Sequence, residues 1–473
     1  MRILEWSRRR SGGPVQRHVL QELREGKTAE QVEQEHGLPR AWVDGLTSFY
    51  DLLHGERERA CTGTSCSFPD GCKSNRKSEL EGVHCLGQCY APPATTLRAP
   101  PPIPRRSMLQ PPVVLRNILG GEDARGEYVL PDGETILGAV EASGLRGRGG
   151  AAFPTAAKWK AARDTPAPDR YVVANGDEGD PGSFVDRLLL EEAPHAVLAG
   201  MKACARAIGA RKGIVFIRGE YPDAHRTMRK AIDEARDLGL LGQEFDVELF
   251  CCAGSYVAGE ETALLRAIEG LRSEPAVKPP YPAQCGLQGL PTVVQNVETL
   301  AVIPWVVRHR RRGDAKALSV AGAVGKPGVV EIRLGTTLRT VLEEACDGPR
   351  HGARWKMALV GGPLGRVVPV SGFDVPLSYD GLPGMGHGGI VVLDDTVTAR
   401  ELAEHLFTFA RRESCGNCTP CRVGTSRLHT ITDRPALERL MTTLEAGSLC
   451  GFGQGVPRPI RDLLQHFPGE MFP

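Results

Sequence analysis

Near the C-terminus, three cysteines stand at a spacing that can bind a metal cluster. Cys415, Cys418 and Cys421 follow the pattern C-x2-C-x2-C within the segment ESCGNCTPC, and Cys450 follows at a distance. Three thiolates on one short loop and one remote thiolate make up the ligand set of a 4Fe-4S cluster. Zinc and buried free thiols are the alternatives, but zinc sites usually pair two C-x2-C loops. The spacing therefore favours a 4Fe-4S cluster and an electron-transfer function.

A second group of cysteines lies near the beginning of the chain. Cys61 and Cys66 form a C-x4-C pair, and Cys85 and Cys89 form a C-x3-C pair. Two pairs of thiolates on two loops suit a 2Fe-2S cluster, in which each iron takes two sulfurs. Zinc stays open as the alternative because two short cysteine loops also build a tetrahedral cage. Cys72 lies between the pairs and is expected to be a spare.

The middle of the chain contains a glycine-rich loop. Residues 143–155 read SGLRGRGGAAFPT and precede a predicted helix from Ala156 to Arg163. Glycines let backbone amides approach a phosphate or a flavin edge, and the start of a helix favours an anion. An ordinary tight loop is the alternative for this segment alone.

Three short apolar segments, at 171–174, 212–218 and 250–253, are predicted strands. They alternate with predicted helices, so the chain is expected to be an α/β protein with a mostly parallel sheet. The first strand leads into the polar segment NGDEGDPG at 175–182, at the strand end where such sheets bind ligands.

The last of these strands leads into the glycine turn 254–262, which enters an amphipathic helix with Leu264, Leu265 and Ile268 on one face. Glu260 and Glu261 at its start are candidate ligand contacts. Ordinary negative charge at a helix N-terminus is the alternative.

Composition limits the class of protein. The chain has 473 residues, enough for three to four domains, and a formal charge of +1, which gives no case for nucleic acid. No apolar run is long enough to span a membrane, and Arg8 to Arg10 are not followed by one. Its 14 cysteines cluster at metal-ligand spacings, which indicates a reducing compartment. We expect a soluble, cytoplasmic protein without direct membrane insertion.

Taken together, these motifs closely resemble the NADH-binding flavoprotein subunit of respiratory complex I. They also resemble the diaphorase subunits of NAD-dependent formate dehydrogenases and NAD-reducing hydrogenases. The resemblance covers about residues 110 to 473 and rests on GRGG-x-x-FPT-x-x-KW, N-x-DE-x-x-PG-x-F-x-DR, GEET, KPP and ESCG-x-C-x-PC. Residues 1 to 100 resemble a shortened thioredoxin-like 2Fe-2S subunit that is a separate chain in complex I, with the signatures Phe49-Tyr50-Asp51, CTGTSC and CLGQC.

The resemblance implies roles for individual residues. The FMN contacts it implies are Gly147, Arg148, Gly149, Lys158, Asn175, Asp177, Glu178, Gly259, Glu260 and Asn296. The NADH contacts it implies are Phe153, Glu261, Lys278 and Tyr281, of which Phe153 and Tyr281 would stack on the adenine. Core packing is the alternative for both aromatic residues. Glu178 and Glu261 are the candidate catalytic residues, because their negative charge would act on the flavin and the nicotinamide.

Some residues depart from the family pattern. Ala152 and Ala156 stand where the family usually has glycine, and an added Cβ is costly if the backbone there has a positive φ or touches the flavin. The pair Gly179-Asp180 replaces the usual Ser-Glu and is more similar to the formate dehydrogenase and hydrogenase branch.

The resemblance also predicts the domain organisation. We expect a helical lead-in (1–57), a truncated thioredoxin-like 2Fe-2S domain (58–105), a Rossmann-like FMN- and NADH-binding α/β domain (110–312), a ubiquitin-like β-grasp domain (318–394) and a helical 4Fe-4S domain (396–473). His387, in the glycine loop before the last β-grasp strand, is expected to be a loop residue and not a ligand.

The motifs and the resemblance leave three hypotheses for the function of this chain. The first is an NAD(H)-dependent flavoprotein subunit in a hetero-oligomer, with FMN, 4Fe-4S and 2Fe-2S cofactors. Its expected partner is a molybdenum or tungsten formate dehydrogenase subunit, with a small 2Fe-2S subunit as a further partner. The second is the same module in a hydrogenase or a complex I-like assembly. The third is a non-catalytic relay or scaffold that lacks FMN, which the alanines at 152 and 156 would suit.

Overall fold

The computed structural model describes residues 14–53, 58–68, 81–83 and 85–472. Cys72 and Arg8 to Arg10 lie outside these ranges. The described chain is a mixed α/β protein, as expected. Its strands are β1 (Arg59–Cys61), β2 (Glu81–Val83), β3 (Arg105–Ser107), β4 (Tyr171–Gly176), β5 (Lys212–Ile217), β6 (Asp246–Cys251), β7 (Thr292–Asn296), β8 (Ala315–Gly322), β9 (Gly328–Arg333), β10 (Trp355–Val360), β11 (Arg366–Pro369) and β12 (Gly389–Asp394).

The α-helices lie mainly in the first half and at the C-terminal end of the chain. They are Pro14–Arg24, Ala29–His36, Arg40–Thr47, Thr64–Ser67, Arg116–Leu119, Gly133–Ala142, Thr155–Asp164, Val185–Glu192, Pro194–Ile208, Pro222–Asp237, Glu261–Ile268, Val297–His309, Leu338–Thr340, Ala399–Glu413, Thr419–Arg427, Arg434–Gly447, Gly451–Gly455, Pro457–His466 and Pro468–Met471. No helix in the described part of the chain is long and apolar enough to cross a membrane.

A four-stranded parallel sheet, in the order β6-β5-β4-β7, positions the glycine-rich segments. The predictions for β4 and β5 are confirmed, because their apolar runs are buried on both faces. The predicted third strand was placed too late: β6 begins at Asp246, where alternating polar residues hide its start. Strand β7 was not predicted, although it supplies the edge beside β4.

A second, six-stranded mixed sheet has the order β11-β10-β12-β8-β9-β3. Its strands β9 and β12 lie within the range 318–394 of the predicted β-grasp domain. Strand β3 was not predicted. It joins the sheet from far earlier in the chain and pairs in parallel with β9, Arg105 opposite Val329.

The N-terminal helices pack on the parallel sheet and on the loops at its edge. The Tyr50 hydroxyl donates a hydrogen bond to the Leu271 carbonyl (2.7 Å), and the Leu52 amide donates to the Ala253 carbonyl (2.9 Å). After them, β1 and β2 form a parallel pair of three residues each. Among the described residues, this small sheet is the β-structure next to the first cysteine group, since β1 ends at Cys61.

The C-terminal part of the chain is helical, as expected. The helix Ala399–Glu413 begins with a capping box, in which the side chains of Thr398 and Glu401 satisfy each other's backbone amides. Leu402, Leu406 and Phe409 are buried along one face of this helix.

Arg116 and Glu127 form a buried ion pair at the start of the α/β domain, and Arg116 also contacts the helix Val297–His309. Arg116 and Glu127 are 1% and 2% exposed, with N···O distances of 2.8 and 2.6 Å, and Arg116 also donates to the Ala301 carbonyl (2.9 Å). Breaking such a pair leaves an uncompensated buried charge.

We therefore expect Arg116→Ala to destabilise the α/β domain by about 3–5 kcal/mol. Arg434→Ala is the control, because Arg434 forms an exposed pair with Glu438 whose loss should cost about 0–1 kcal/mol. Thermal unfolding followed by circular dichroism measures both. Equal melting temperatures for the two variants would contradict this assignment.

Candidate functional site

The glycine-rich loop is closed on itself and tied to a helix. The Gly147 amide donates to the Phe153 carbonyl (2.9 Å), and the Arg148 amide donates to Thr299 Oγ1 (2.8 Å). Ala152 has φ +51°, so the added Cβ falls where the backbone is in the left-handed region and carries a conformational cost. Ala156 lies instead in the regular helix Thr155–Asp164, where alanine is favoured.

The Arg148 side chain is buried and points towards the second sheet. Its Nη2 donates to the carbonyls of Gly313 (2.5 Å) and Ala315 (2.7 Å). Nε and Nη1 have no hydrogen-bond partner among the described residues. Buried donors of this kind need a partner, and an anionic cofactor would supply one. The loop is therefore compatible with the FMN cradle that the motif predicts.

Four charged side chains form a network at the glycine turn. Lys158 lies 3.1 Å from Glu261, and Lys278 lies 2.8 Å from Glu260 and 3.3 Å from Glu261. Burial would raise the pKa of the Glu261 carboxyl, but the two lysines hold it below its usual value. The turn thus presents an ionised carboxylate beside two ammonium groups.

Glu260 also has the structural role that was considered as its alternative. Its Oε2 accepts hydrogen bonds from the amides of Thr262 (2.9 Å) and Ala263 (3.0 Å) at the start of the helix Glu261–Ile268. It is therefore the N-cap of that helix, which needs no ligand to explain it.

Phe153 and Tyr281 do not pack in the core. They are 52% and 54% exposed, although large aromatic side chains usually bury most of their surface. The core-packing alternative is wrong for both, and each ring has a face available for stacking on a planar ligand.

Two asparagines lie side by side at the carboxyl ends of β4 and β7, where Asn175 is in register with Asn296. Asn175 Nδ2 donates to the Gly259 carbonyl (2.9 Å), which joins the strand end to the glycine turn. Asn296 caps the next helix and donates to Asp186 Oδ2 (2.6 Å). The structure thus brings the 175–182 segment, the glycine turn and Asn296 together at the carboxyl end of the sheet, where parallel sheets bind ligands.

Glu178 faces the interior of the protein. Its carboxylate accepts hydrogen bonds from the amides of Asp186 (3.1 Å) and Arg187 (2.9 Å) and from the Tyr221 hydroxyl (3.3 Å). Burial and the neighbouring Asp186 raise the pKa of Glu178 to about 7. A contact with flavin through this side chain stays a prediction.

Its neighbour Asp177 is also buried, and burial raises the pKa of that carboxyl well above its usual value. Oδ2 of Asp177 has no hydrogen-bond partner among the described residues. A Cβ at Gly259 would lie 3.3 Å from this oxygen, so the glycine turn and the strand end approach closely.

Sequence reasoning missed Tyr256 and Glu413. The Tyr256 hydroxyl donates to Asp180 Oδ1 (2.5 Å), and its amide donates to Glu413 Oε2 (3.0 Å). Burial raises the pKa of Glu413 to about 7. These residues border a cavity of about 20 Å³, lined also by Asp177, Gly179, Arg218 and Ser255. Tyr256 could have been found from its position in the glycine turn 254–262, but no local sequence pattern indicates a role for Glu413 at this site.

The four C-terminal cysteines meet where three helices begin or end. Cys415 and Cys418 lie between the helices Ala399–Glu413 and Thr419–Arg427, Cys421 lies in the first turn of the second, and Cys450 is the N-cap of Gly451–Gly455. All four are free thiols. Burial raises the pKa of the Cys421 thiol to about 12, with further contributions from the other three sulfurs.

Further contacts around the four C-terminal cysteines are compatible with a bound cluster. The Leu449 amide points at Cys418 Sγ (3.5 Å), and a Cβ at Gly453 would come within 3.0 Å of the Cys421 Cβ. The Asn417 amide group donates to the Pro275 carbonyl (3.0 Å), three residues before Lys278. The cysteine loop thus adjoins the segment expected to contact NADH.

The four N-terminal cysteines are fully buried, and Cys85 Sγ lies 3.4 Å from Cys89 Sγ. Three backbone amides point at the sulfurs: those of Gly63 at Cys61 (3.4 Å), Gly87 at Cys85 (3.3 Å) and Gly182 at Cys89 (3.2 Å). Hydrogen bonds to sulfur are a means of tuning iron-sulfur clusters. The third amide belongs to the NGDEGDPG segment, so this cysteine site contacts the expected flavin loop.

Two buried arginines also join the segment after β4 to the loop of Cys85 and Cys89. Arg218 donates to the Glu178 carbonyl through Nη1 and to the Cys85 carbonyl through Nη2 (2.9 Å). Arg187 donates to the Gly87 carbonyl (3.0 Å). Each guanidinium joins the flavin-side segment to the cysteine loop.

Comparisons with known proteins agree with this arrangement. Residues 140–305 match the Nuo51 FMN-binding domain, and residues 401–472 match the NADH-ubiquinone oxidoreductase-F iron-sulfur binding region. The chain is 40% identical over 367 residues to the NADP-reducing hydrogenase subunit HndC of Solidesulfovibrio fructosivorans, covering 71% of this chain and 75% of that protein.

It is also 38% identical over 379 residues to an F-type subunit of the NADH-quinone oxidoreductase of Rhizobium meliloti, covering 73% of this chain and 89% of that protein. Among solved structures, a chain of the air-oxidized NAD+-reducing [NiFe]-hydrogenase superposes with a TM-score of 0.83 at 29% identity. That superposition covers 97% of this chain and 94% of the other, so it extends into the N-terminal part.

These matches confirm the resemblance and the FMN and 4Fe-4S cofactors. The chain belongs to the family of NADH dehydrogenase-type flavoproteins that includes the F-type subunits of NADH-quinone oxidoreductases and the diaphorase subunits of hydrogenases.

Proposed function

We propose that this chain exchanges hydride with NAD(H) and passes electrons singly through iron-sulfur clusters to a partner catalytic subunit. Bound FMN supplies the chemistry that links a two-electron carrier to one-electron carriers. The chain's own residues bind the two cofactors, orient them and set the charge around them.

One observation carries the proposal: the glycine turn adjoins the C-terminal cysteines. Burial raises the pKa of the Cys450 thiol, and the nearby carboxylate of Glu260 adds to this rise. Glu260 also binds Lys278 at 2.8 Å, and the same turn contacts Asn175 through Gly259. The candidate nucleotide and flavin residues therefore contact one another, and Glu260 lies near enough to Cys450 for its charge to act on that thiol.

This arrangement supports the following proposed roles for the site residues. We assign Gly147, Gly149 and Lys158 to the flavin phosphate side, because the two glycines allow a close approach of the backbone and the ammonium group of Lys158 suits an anion. Phe153 and Tyr281 hold the adenine by stacking, and Glu261 and Lys278 hold polar groups of the dinucleotide. Glu178 and Glu261 contribute negative charge, which makes an anionic reduced flavin less favourable.

For the N-terminal site, we propose a 2Fe-2S cluster in preference to zinc. The four cysteines form two pairs on two loops, the arrangement in which each iron takes two sulfurs. The three backbone amides directed at their sulfurs also suit a cluster, because hydrogen bonds to sulfur tune it.

The partner is proposed on two grounds. The Gly179-Asp180 pair favours an NAD-dependent formate dehydrogenase, with molybdenum or tungsten in its catalytic subunit. The similarity of nearly the whole chain to the NAD+-reducing [NiFe]-hydrogenase structure favours a hydrogenase as the second candidate. Metal analysis of the complex that co-purifies with this chain separates them, because nickel indicates the hydrogenase.

The test of the main proposal is anaerobic purification followed by iron counting, EPR and an NADH-dependent dye-reduction assay. We expect heat-released FMN, dye reduction by NADH, and about six irons per chain if both cysteine sites hold clusters. About four irons would mean that only the C-terminal cluster is present. A protein without NADH-reducible flavin would refute the proposal and favour the scaffold function.

Replacing Tyr281 by alanine should raise the KM for NADH about three- to tenfold with little change in kcat, because one stacking contact is worth about 0.5–1.5 kcal/mol. Tyr281→Phe is the matched control, since it keeps the ring and should keep the KM. Steady-state dye reduction measures both values. An unchanged KM in the alanine variant would remove Tyr281 from the nucleotide site.

Cys450→Ser should leave the flavin reducible by NADH but interrupt electron transfer to the partner, because the cluster loses its fourth ligand. Flavin bleaching by NADH and NADH-driven turnover of the whole complex separate these two steps. The exposed cysteine variant Cys285→Ser is the control and should behave as wild type. Full transfer to the partner in Cys450→Ser would contradict the proposed route.

A further inference from the structure

His387 lies in a loop of the second sheet, yet it reaches into the flavin-binding domain. It stands between two glycines with positive φ, Gly386 (+58°) and Gly388 (+98°), just before β12, and it is buried. The backbone at 386–387 packs against Gly150 of the glycine-rich loop, where a Cβ would be 3.6 Å away. A loop of one domain thus covers the cradle of another.

The imidazole ring has three partners, all from the segment that follows β4. Nε2 lies 3.3 Å from Glu178 Oε1 and 3.4 Å from Asp186 Oδ2, and Nδ1 lies 2.9 Å from Ser183 Oγ. Nε2 is hydrogen-bonded to Asp186 and lies at ion-pair distance from Glu178, and these two negative charges favour the protonated ring.

The surrounding charges agree with that assignment. Asp180 also interacts with the ring, and Lys316 opposes its charge but is itself paired with Glu298 at 2.5 Å. Burial lowers the pKa of His387, whereas Asp186 and Glu178 raise it, with the net result of about 9. The pKa of Glu178 is about 7. Between these two values both members of the pair are charged.

Asp186 connects the ring to Asn296, one of the expected FMN contacts. Asp186 accepts a hydrogen bond from Asn296 Nδ2 (2.6 Å) and one from the Glu298 amide (3.1 Å). Asn296 in turn contacts the glycine loop, since a Cβ at Gly149 would be 3.2 Å from its Cβ. A buried carboxylate keeps its position only while its charge is compensated.

We propose that His387 is a positioning residue for the flavin site: its protonated ring holds Glu178 and Asp186, and through Asn296 it maintains the shape of the glycine loop. The inference rests on the proposed FMN site at this edge. A metal ion held by His387, Glu178 and Asp186 is the competing explanation.

The sign of the pH effect follows from the two states of the ring. The folded pKa of His387, about 9, lies above the ordinary value of about 6.5. Its stabilising effect is therefore lost as the pH rises through about 9, and below about pH 7 protonation of Glu178 removes one of the charges that the ring compensates. FMN affinity should fall over that alkaline range.

The experiment is an FMN binding titration of the flavin-depleted full-length protein between pH 7.5 and 10, followed by flavin fluorescence. We expect wild-type affinity to fall about tenfold as the pH rises through about 9. His387→Gln should bind FMN about tenfold more weakly at pH 7.5 and lose the step near pH 9.

The matched control is His195→Gln, which removes a histidine paired with the carboxylate of Glu234 (3.2 Å), away from these contacts. It should keep the wild-type curve. If His387→Gln does not fold, the wild-type titration still decides, because an affinity independent of pH up to 10 refutes the inference. A step near pH 9 that survives in His387→Gln refutes it as well.

Elemental analysis addresses the competing explanation. One equivalent of zinc or manganese that survives chelator dialysis in wild type but is absent from His387→Gln would assign the cluster to a metal and refute the inference. Failure of the proposed function gives a different result, namely no FMN binding by wild type at any pH.

Discussion

The fold around the site depends on hydrogen bonds and opposite charges that compensate the buried carboxylates after β4. An ionised carboxyl in the interior is costly unless hydrogen bonds and opposite charges compensate it. Glu178 receives these from two backbone amides and Tyr221, with His387 at 3.3 Å from its Oε1. Its own backbone carbonyl binds Arg218, which also binds the first cysteine loop. The compensation of one side chain therefore fixes how three parts of the chain meet.

Much of the site could be predicted because its signals are local. The C-x2-C-x2-C loop, the glycine-rich loop and the apolar strands β4 and β5 each show their character within a few residues. Glu260 shows the limit of such reasoning, since a helix cap and a ligand contact produce the same local pattern. The structure assigns it the cap and a lysine contact together.

What could not be predicted lies in long-range contacts. Tyr256 and Glu413 are 157 residues apart, and His387 and Asp186 are 201 apart, so no spacing rule relates them. Strand β3 has only three residues and pairs with a strand more than two hundred positions later. A short segment of this kind is specified by its partner and not by its own pattern. Ala152, in contrast, was recognised as a departure whose cost depended on a backbone angle that only the fold supplies.

The hydrogen bond from the Gly182 amide to Cys89 has a consequence for assembly. Here the cysteine site and the segment after β4 are both on one polypeptide. Tethering converts association into an intramolecular event at an effective concentration of about millimolar. The few contacts made by Arg187 and Arg218 can then suffice where an interface between two chains would need a larger area. Covalent linkage also fixes the ratio of the two sites at one to one, so synthesis of one chain sets their stoichiometry.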